Sequence, residues 1–227
     1  MSSRKAAFFD LDGTLTSVRT WAGILDYFKH RGEKRFTYFQ FWAYHTILYF
    51  LHKAKLLSQT GFREPWAANL GWFLRGLAED EVEDIWRWMY EHHFTGHWHA
   101  HSLEILDRHK QQGDYLVLVS ASPAPLGRFV AKQLGMDLAV GTEFEVIDGC
   151  YTGRVQDKVC IADRKATQTK MRLLDASVSI NFADSSAYAD SPGDLAMLEM
   201  TGRPVALNPD NLLLPIAKDR GWEIVLK

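Results

Sequence analysis

Four short apolar runs organise the two ends of the chain, each closing on a polar residue and each followed by a helix-like stretch: AAFF before Asp10, YLVLV before Ser120, SAYA before Asp190 and PVAL before Asn208. Runs without polar alternation are the signature of strands covered on both faces, and their βα spacing predicts a parallel sheet. Such sheets bind ligands beyond the carboxyl ends of their strands, so the polar residue closing each run marks the expected site. One further segment, EFEVIDGCYTGRV, alternates about Asp148-Gly149, the dipeptide of a two-residue hairpin turn, and predicts a small β-flap.

The stretch from Trp21 to His101 follows a different period. Val82, Ile85, Trp86 and Met89 recur at helical spacing, and helices are predicted over 21–30, 36–55, 64–74 and 79–94, with no strand among them. Seven of the eight tryptophans and eight of the nine histidines fall here, which marks a separate module. Within it, Phe36 to His52 carries no formal charge and is bracketed by Lys34-Arg35 and by Lys53 and Lys55. A helix of that length reaches about 25 Å, short of a hydrocarbon core of about 30 Å, and Gln40, His45, Thr46 and His52 interrupt it. The preferred reading is a helix buried under its neighbours; the other is a helix on a membrane surface, a peripheral contact through residues 36–52 with its basic ends on headgroups.

Composition narrows the function. The 26 Lys and Arg against 28 Asp and Glu give a net charge of −2, so there is no global positive field and no nucleic-acid partner is expected. A chain of 227 residues, 47% hydrophobic and 24% charged, is no disordered segment and suits one large domain or a core with an insertion. Two cysteines, Cys150 and Cys160, make no disulfide framework, so a reducing compartment, the cytoplasm, is expected. The apolar stretch after Arg4-Lys5 is too short for a signal-peptide core.

The candidate chemistry lies at the run ends. Asp10 and Asp12 flank a single residue, and if strand geometry persists both carboxylates face one side. Such a pair before Gly13 suits a divalent cation plus an acceptor for a transferred group, or merely a helix cap or turn. Asp190, with Asp194 four residues on, brings more acids to the same edge. Ser120 and Ser122 also suit a helix N-cap around Pro123. His93, His97 and His101 stand at i, i+4 and i+8, a metal-ligand spacing on a helix, but Gly96 interrupts them and a solvated linker is preferred. The tryptophan-rich helices read as the core of their module, although aromatics lining a site can select an apolar substrate.

Asp10-Leu-Asp12-Gly-Thr-Leu-Thr16, Ser120 after YLVLV, Lys165 in CIADRKA and Asp190-Ser-Pro-Gly-Asp194, in that order, resemble the four motifs of the haloacid dehalogenase superfamily, in its phosphoserine-phosphatase-like branch. The resemblance covers about residues 1–16 and 103–227. It implies an α/β fold, a Rossmann-like parallel-sheet core with helices on both faces, plus a helical cap over 17–102 between the first and second motifs. It implies a Mg²⁺-dependent phosphatase acting on a small-molecule phosphomonoester. Asp10 would be the nucleophile forming an aspartyl-phosphate, and Asp12 the general acid and base with its backbone carbonyl on Mg²⁺. Ser120 would hydrogen-bond the phosphoryl group and Lys165 would neutralise charge, with Lys170 as the alternative lysine. Asp190 would complete the metal site with Asp10 and Asp12, and Asp194 would orient metal-bound water or the lysine. Asp184-Ser185 is not the fourth motif, because position 188 is Tyr. Asp12 argues for phosphatase over dehalogenase chemistry.

Two departures bear on substrate. Arg19 stands where phosphoserine phosphatases carry the acid that holds the substrate amino group, a part a guanidinium cannot play. If the cap closes, Arg19 is expected to face the leaving group and bind an anionic substrate. The cap arginine of those enzymes falls on Asn69 or Leu70 here, with Arg63 and Arg75 only nearby. The expected substrate is therefore a small or amphiphilic phosphomonoester. A phosphotransferase or mutase shares the intermediate, and a non-catalytic phospho-ligand-binding protein would need a catalytic residue to be missing.

Overall fold

A computed structural model describes residues 3–226. Strand β1 (Ala6–Phe9) leads into a helical insertion: α1 (Thr20–Arg31), α2 (Arg35–Lys53), α3 (Gln59–Asn69), α4 (Gly71–Leu74) and α5 (Glu79–Trp88), closed by a π-helical turn at Met89–Phe94. The chain returns through α6 (Ala100–Gln111) to β2 (Tyr115–Pro123), α7 (Ala124–Leu134) and β3 (Leu138–Thr142). A hairpin of β4 (Phe144–Ile147) and β5 (Cys150–Val155) precedes α8 (Asp163–Asp175), β6 (Ser186–Ala189), α9 (Leu195–Glu199), β7 (Arg203–Leu207), α10 (Leu213–Asp219) and β8 (Glu223–Val225). The hairpin turns where the sequence places it: Asp148 and Gly149 both take positive φ, 51° and 76°, as a two-residue turn of matching twist requires.

Alternation along the central strands explains why the apolar runs are unbroken. Ala7 and Phe9 of β1, with Leu116 and Leu118 of β2, face one side, packed with Ile105 and Leu106 of α6 and Leu126 and Val130 of α7. Ala6 and Phe8, with Val117 and Val119, face the other, against Leu173 of α8, Met197 and Leu198 of α9, and Leu213 and Ala217 of α10. Both faces are dry, so both need apolar residues.

The six strands are all parallel, in the order β3-β2-β1-β6-β7-β8. After β1 the chain builds outward through β2 and β3, then returns to the opposite side of β1 with β6. β1 thus stands at the switch in strand order, where a crevice opens beyond the carboxyl ends. Asp10 follows β1, Ser120 lies in the last part of β2, and Asp190 follows β6. The edge strands β3 and β8 fall outside the four apolar runs.

The insertion joins the sheet through two adjacent crossings. Ser17 N–H donates to the His97 carbonyl and His99 N–H to the Leu15 carbonyl, both at 2.9 Å. Its core is aromatic: Phe28, Phe41, Phe73 and Trp86 are fully buried. One expectation is overturned. α2 is not a buried helix; among its described residues only Phe41 and His45 are buried, and most of its apolar side chains face outward. α2 packs one side on α1 and α3, while its opposite side carries a second apolar stripe that no element among the described residues covers. No helix among the described residues is long and apolar enough to cross a membrane.

Candidate active site

Two carboxylates and one ammonium from three distant parts of the chain meet at the carboxyl edge of the sheet. Lys165, on the first turn of α8, donates from Nζ to Asp10 Oδ1 at 2.7 Å and also to Asp194 Oδ1. All three residues are buried. Burial alone would push the Lys165 pKa down, but the Asp10 and Asp194 carboxylates outweigh it and hold the ammonium well above its ordinary range. Lys170, the alternative lysine, lies instead with Nζ 5.7 Å from the centre of the Phe182 ring. The residue before α8, Ala162, takes φ 51° and ψ −130°, a conformation rare for a residue with a Cβ and placed next to the helix that aims Lys165.

Asp190 joins this group. The carboxylates of Asp10, Asp190 and Asp194 bring oxygens within 4.8 Å of one another. Burial, followed by repulsion from Asp10, raises the Asp190 carboxyl above the usual range. Three buried carboxylates, answered by buried Lys165 and by half-exposed Arg19 at 3.5 Å from Asp190, fit a hard, oxygen-seeking divalent cation such as Mg²⁺. Gly13 permits the close approach. Its φ is 101°, and a Cβ there would lie 2.0 Å from Asp190 Oδ2.

Asp12 does not turn its carboxylate into this cluster. It accepts from the Thr20 N–H at 2.9 Å and the Thr20 hydroxyl at 2.6 Å, so it steadies the first turn of α1, where the insertion begins. Burial pushes its pKa up to about 6 against these hydrogen bonds, which suits a group that gives and takes a proton near neutrality. Its backbone carbonyl faces Arg19, whose Nη1 donates to it while Nη2 lies 3.5 Å from Asp190 Oδ2. Arg19 is thus held between two oxygens of the acid cluster, rather than pointing free of it.

Ser120 is buried, with its hydroxyl donating to Ser122 Oγ at 2.9 Å. Neither serine caps a helix: β2 runs on through Pro123, and no side chain caps α7. Asp184 is exposed and bonded to Asn181, away from the acids. The histidines do not converge either. His93 pairs with the Arg19 carbonyl, His101 with Glu104, and His97 lies on the turn between them. Among the described residues the one metal-suited cluster is the acidic one.

These groups floor a cavity of about 480 Å³. Asp10, Asp12, Ser120, Lys165 and Asp194 line its base, and Trp21, Phe62, Arg63, Trp66 and Leu70 from the insertion wall it. The sequence reading sets Arg63 only near the cap arginine and prefers the tryptophans as core; the signal that puts them on one wall is that Arg63, Trp66, Ala67 and Leu70 recur at the spacing of one helical face. Arg164 clamps α8 to α3 by a two-pronged pair with Glu64, at 2.7 and 2.6 Å. Asn69 reaches His45 instead of the cavity, and Arg75 lies beside the hairpin.

Known proteins resemble this chain in sequence and in fold. The family model described as haloacid dehalogenase-like hydrolase matches residues 7–199. A phosphoserine phosphatase of Mycobacterium tuberculosis is 30% identical over 224 residues, spanning 96% of this chain and 70% of its own. A Bordetella pertussis protein of unknown function has the same fold, with a TM-score of 0.81 at 23% identity and 99% of both chains covered. A substrate-bound phosphoserine phosphatase superposes with a TM-score of 0.63 at 20% identity, over 100% of this chain and 95% of that one.

Proposed function

This chain belongs to the haloacid dehalogenase-like hydrolases and is a phosphatase of that family, and from that premise we propose that it hydrolyses a small or amphiphilic phosphomonoester through an aspartyl-phosphate on Asp10. The observation that carries the reading is the buried Asp10–Lys165–Asp194 array at the strand switch, beside Asp190 and Ser120. In the first step an Asp10 oxygen bonds to phosphorus while the ester P–O bond breaks, and Asp12 gives its proton to the departing alcohol. In the second, water attacks phosphorus as Asp12 takes a proton back, releasing phosphate and restoring the Asp10 carboxylate. Ser120 and Lys165 hold the phosphoryl oxygens through both steps. Asp10, Asp190 and the Asp12 carbonyl would hold Mg²⁺, with Asp194 fixing Lys165; the cation would supply charge neutralisation at the phosphoryl group.

The insertion acts in this reading as a cap over residues 17–102 that closes on the core. The cytoplasm, where two unpaired cysteines persist reduced, is the compartment that goes with it. Its wall of Trp21, Phe62, Trp66 and Leu70 supports an ester whose alcohol has an apolar body, and Arg19 and Arg63 support a second anionic group. The test is phosphate release from a panel of phosphomonoesters in Mg²⁺ without added acceptor. Turnover favouring apolar or amphiphilic alcohols supports the proposal. Preference for phosphoserine contradicts the substrate reading, and phosphate that appears only with an acceptor makes the protein a phosphotransferase.

A further inference from the structure

The outer stripe of α2 presents Phe36, Phe39, Ile47 and Phe50 at 71, 70, 61 and 65% exposure. At 3.6 residues per turn these four, with Ala43, fall within a sector of about 80°, and buried Phe41 and His45 lie on the far side of the helix. A contiguous row of phenylalanines facing outward is unusual for a monomer and marks a surface that meets something.

The charge around the stripe says what. From Lys34 to Arg63 the chain contains no Asp or Glu, although its net charge is −2. Lys34 and Arg35 stand at one end of α2, Lys53 and Lys55 at the other. A second copy is a poor occupant. Two-fold pairing of α2 along its length sets cationic ends against cationic ends, antiparallel or parallel alike, and like charges then oppose the apolar contact. An anionic lipid surface satisfies both features: rings enter the boundary of the acyl region while both cationic ends meet headgroups.

We infer that α2 is a docking face for anionic membrane, lying flat on the bilayer with Phe36, Phe39, Ile47 and Phe50 inserted. This goes beyond the phosphatase reading and does not depend on it. The face is close to the cavity, since Trp42 of α2 packs edge-on against Trp21 and Trp66, ring centres 6.4 and 6.0 Å apart, and both line the cavity wall. Trp42 thus links α2 to the cavity wall.

Sedimentation of the intact protein with vesicles tests this directly. Vesicles of phosphatidylcholine with an equal part of phosphatidylglycerol are expected to carry the protein down, vesicles of phosphatidylcholine alone far less, and raised salt is expected to release it. Phe39→Ser/Ile47→Ser/Phe50→Ser and Arg35→Glu/Lys53→Glu are each expected to lower the partition coefficient about tenfold or more. These side chains are exposed, and circular dichroism with thermal melting verifies that each variant is folded. Failure of the wild type to sediment, equal sedimentation with both vesicle types, or undiminished binding by folded variants overturns the inference. A wild-type dimer that these variants render monomeric, without vesicle binding, overturns it in favour of a second copy.

Discussion

Lys165 Nζ lies 2.7 Å from Asp10 Oδ1, and this one ammonium is also bonded to Asp194. The lysine therefore does two things at once: it holds Asp10, the proposed nucleophile, in place and offsets two buried carboxylates. Lys165→Met removes both. Breaking a buried pair by deleting one partner costs about 3–5 kcal/mol, and loss of a positioned donor lowers kcat by about a hundredfold or more. Urea unfolding in EDTA reads the first effect and phosphate release the second. A variant as stable and as active as wild type would remove Lys165 from the site.

Arg19 competes for the oxygens that suit a cation. Its guanidinium reaches the Asp12 carbonyl and lies 3.5 Å from Asp190 Oδ2. A half-exposed ion pair of this kind is worth about 1 kcal/mol at most. Arg19→Gln is therefore expected to tighten Mg²⁺ binding by up to about fivefold, measured by titration calorimetry on metal-free protein, while Asp190→Asn weakens it. Equal affinity in wild type and Arg19→Gln would mean that Arg19 and the cation do not share these oxygens.

His45 gives the insertion its own acid sensitivity. Burial among Phe41, Tyr44 and Trp66 pushes its pKa down to about 4, and its Nδ1 has no hydrogen-bond partner. Because the folded value lies below that of the unfolded chain, its contribution to stability is full above about pH 6.5 and is lost as pH falls toward 4. His45→Phe should flatten that loss, retaining on the order of 2 kcal/mol relative to wild type at about pH 4.5 compared with pH 7.5. Parallel stability–pH curves for the two proteins contradict this assignment.

The polar edge of the sheet is legible because βα alternation forces it: an apolar run that stops at Asp10, Ser120 or Asp190 delivers that residue to one end of a parallel sheet. Lys165 is harder: its place in CIADRKA favours it over Lys170, but the contacts that separate the two, with Asp10 and Asp194, join residues 155 and 29 positions apart in sequence. The strands β3 and β8 were missed because both lie at sheet edges and are short, LAVGT and EIV, with little apolar run to mark them. α2 misled for a physical reason: a helix apolar all round reads as buried, and the sequence does not say that only one of its two stripes finds a partner. The Asp12 carboxylate was expected beside that of Asp10, but the chain leaves strand geometry after Phe9, and Thr20 captures it.

The most direct test of the chemistry is the position of the phosphoryl group during turnover. Wild-type protein quenched in acid with a good phosphomonoester and Mg²⁺, then reduced with borohydride, is expected to yield homoserine at position 10 by peptide mass spectrometry, because an acyl phosphate is reduced where a free carboxylate is not. Asp10→Asn, an isosteric side chain that is a far weaker nucleophile, is expected to give neither homoserine nor phosphate. Phosphate release by folded Asp10→Asn, or reduction at another residue with Asp10 untouched, would contradict the aspartyl-phosphate mechanism.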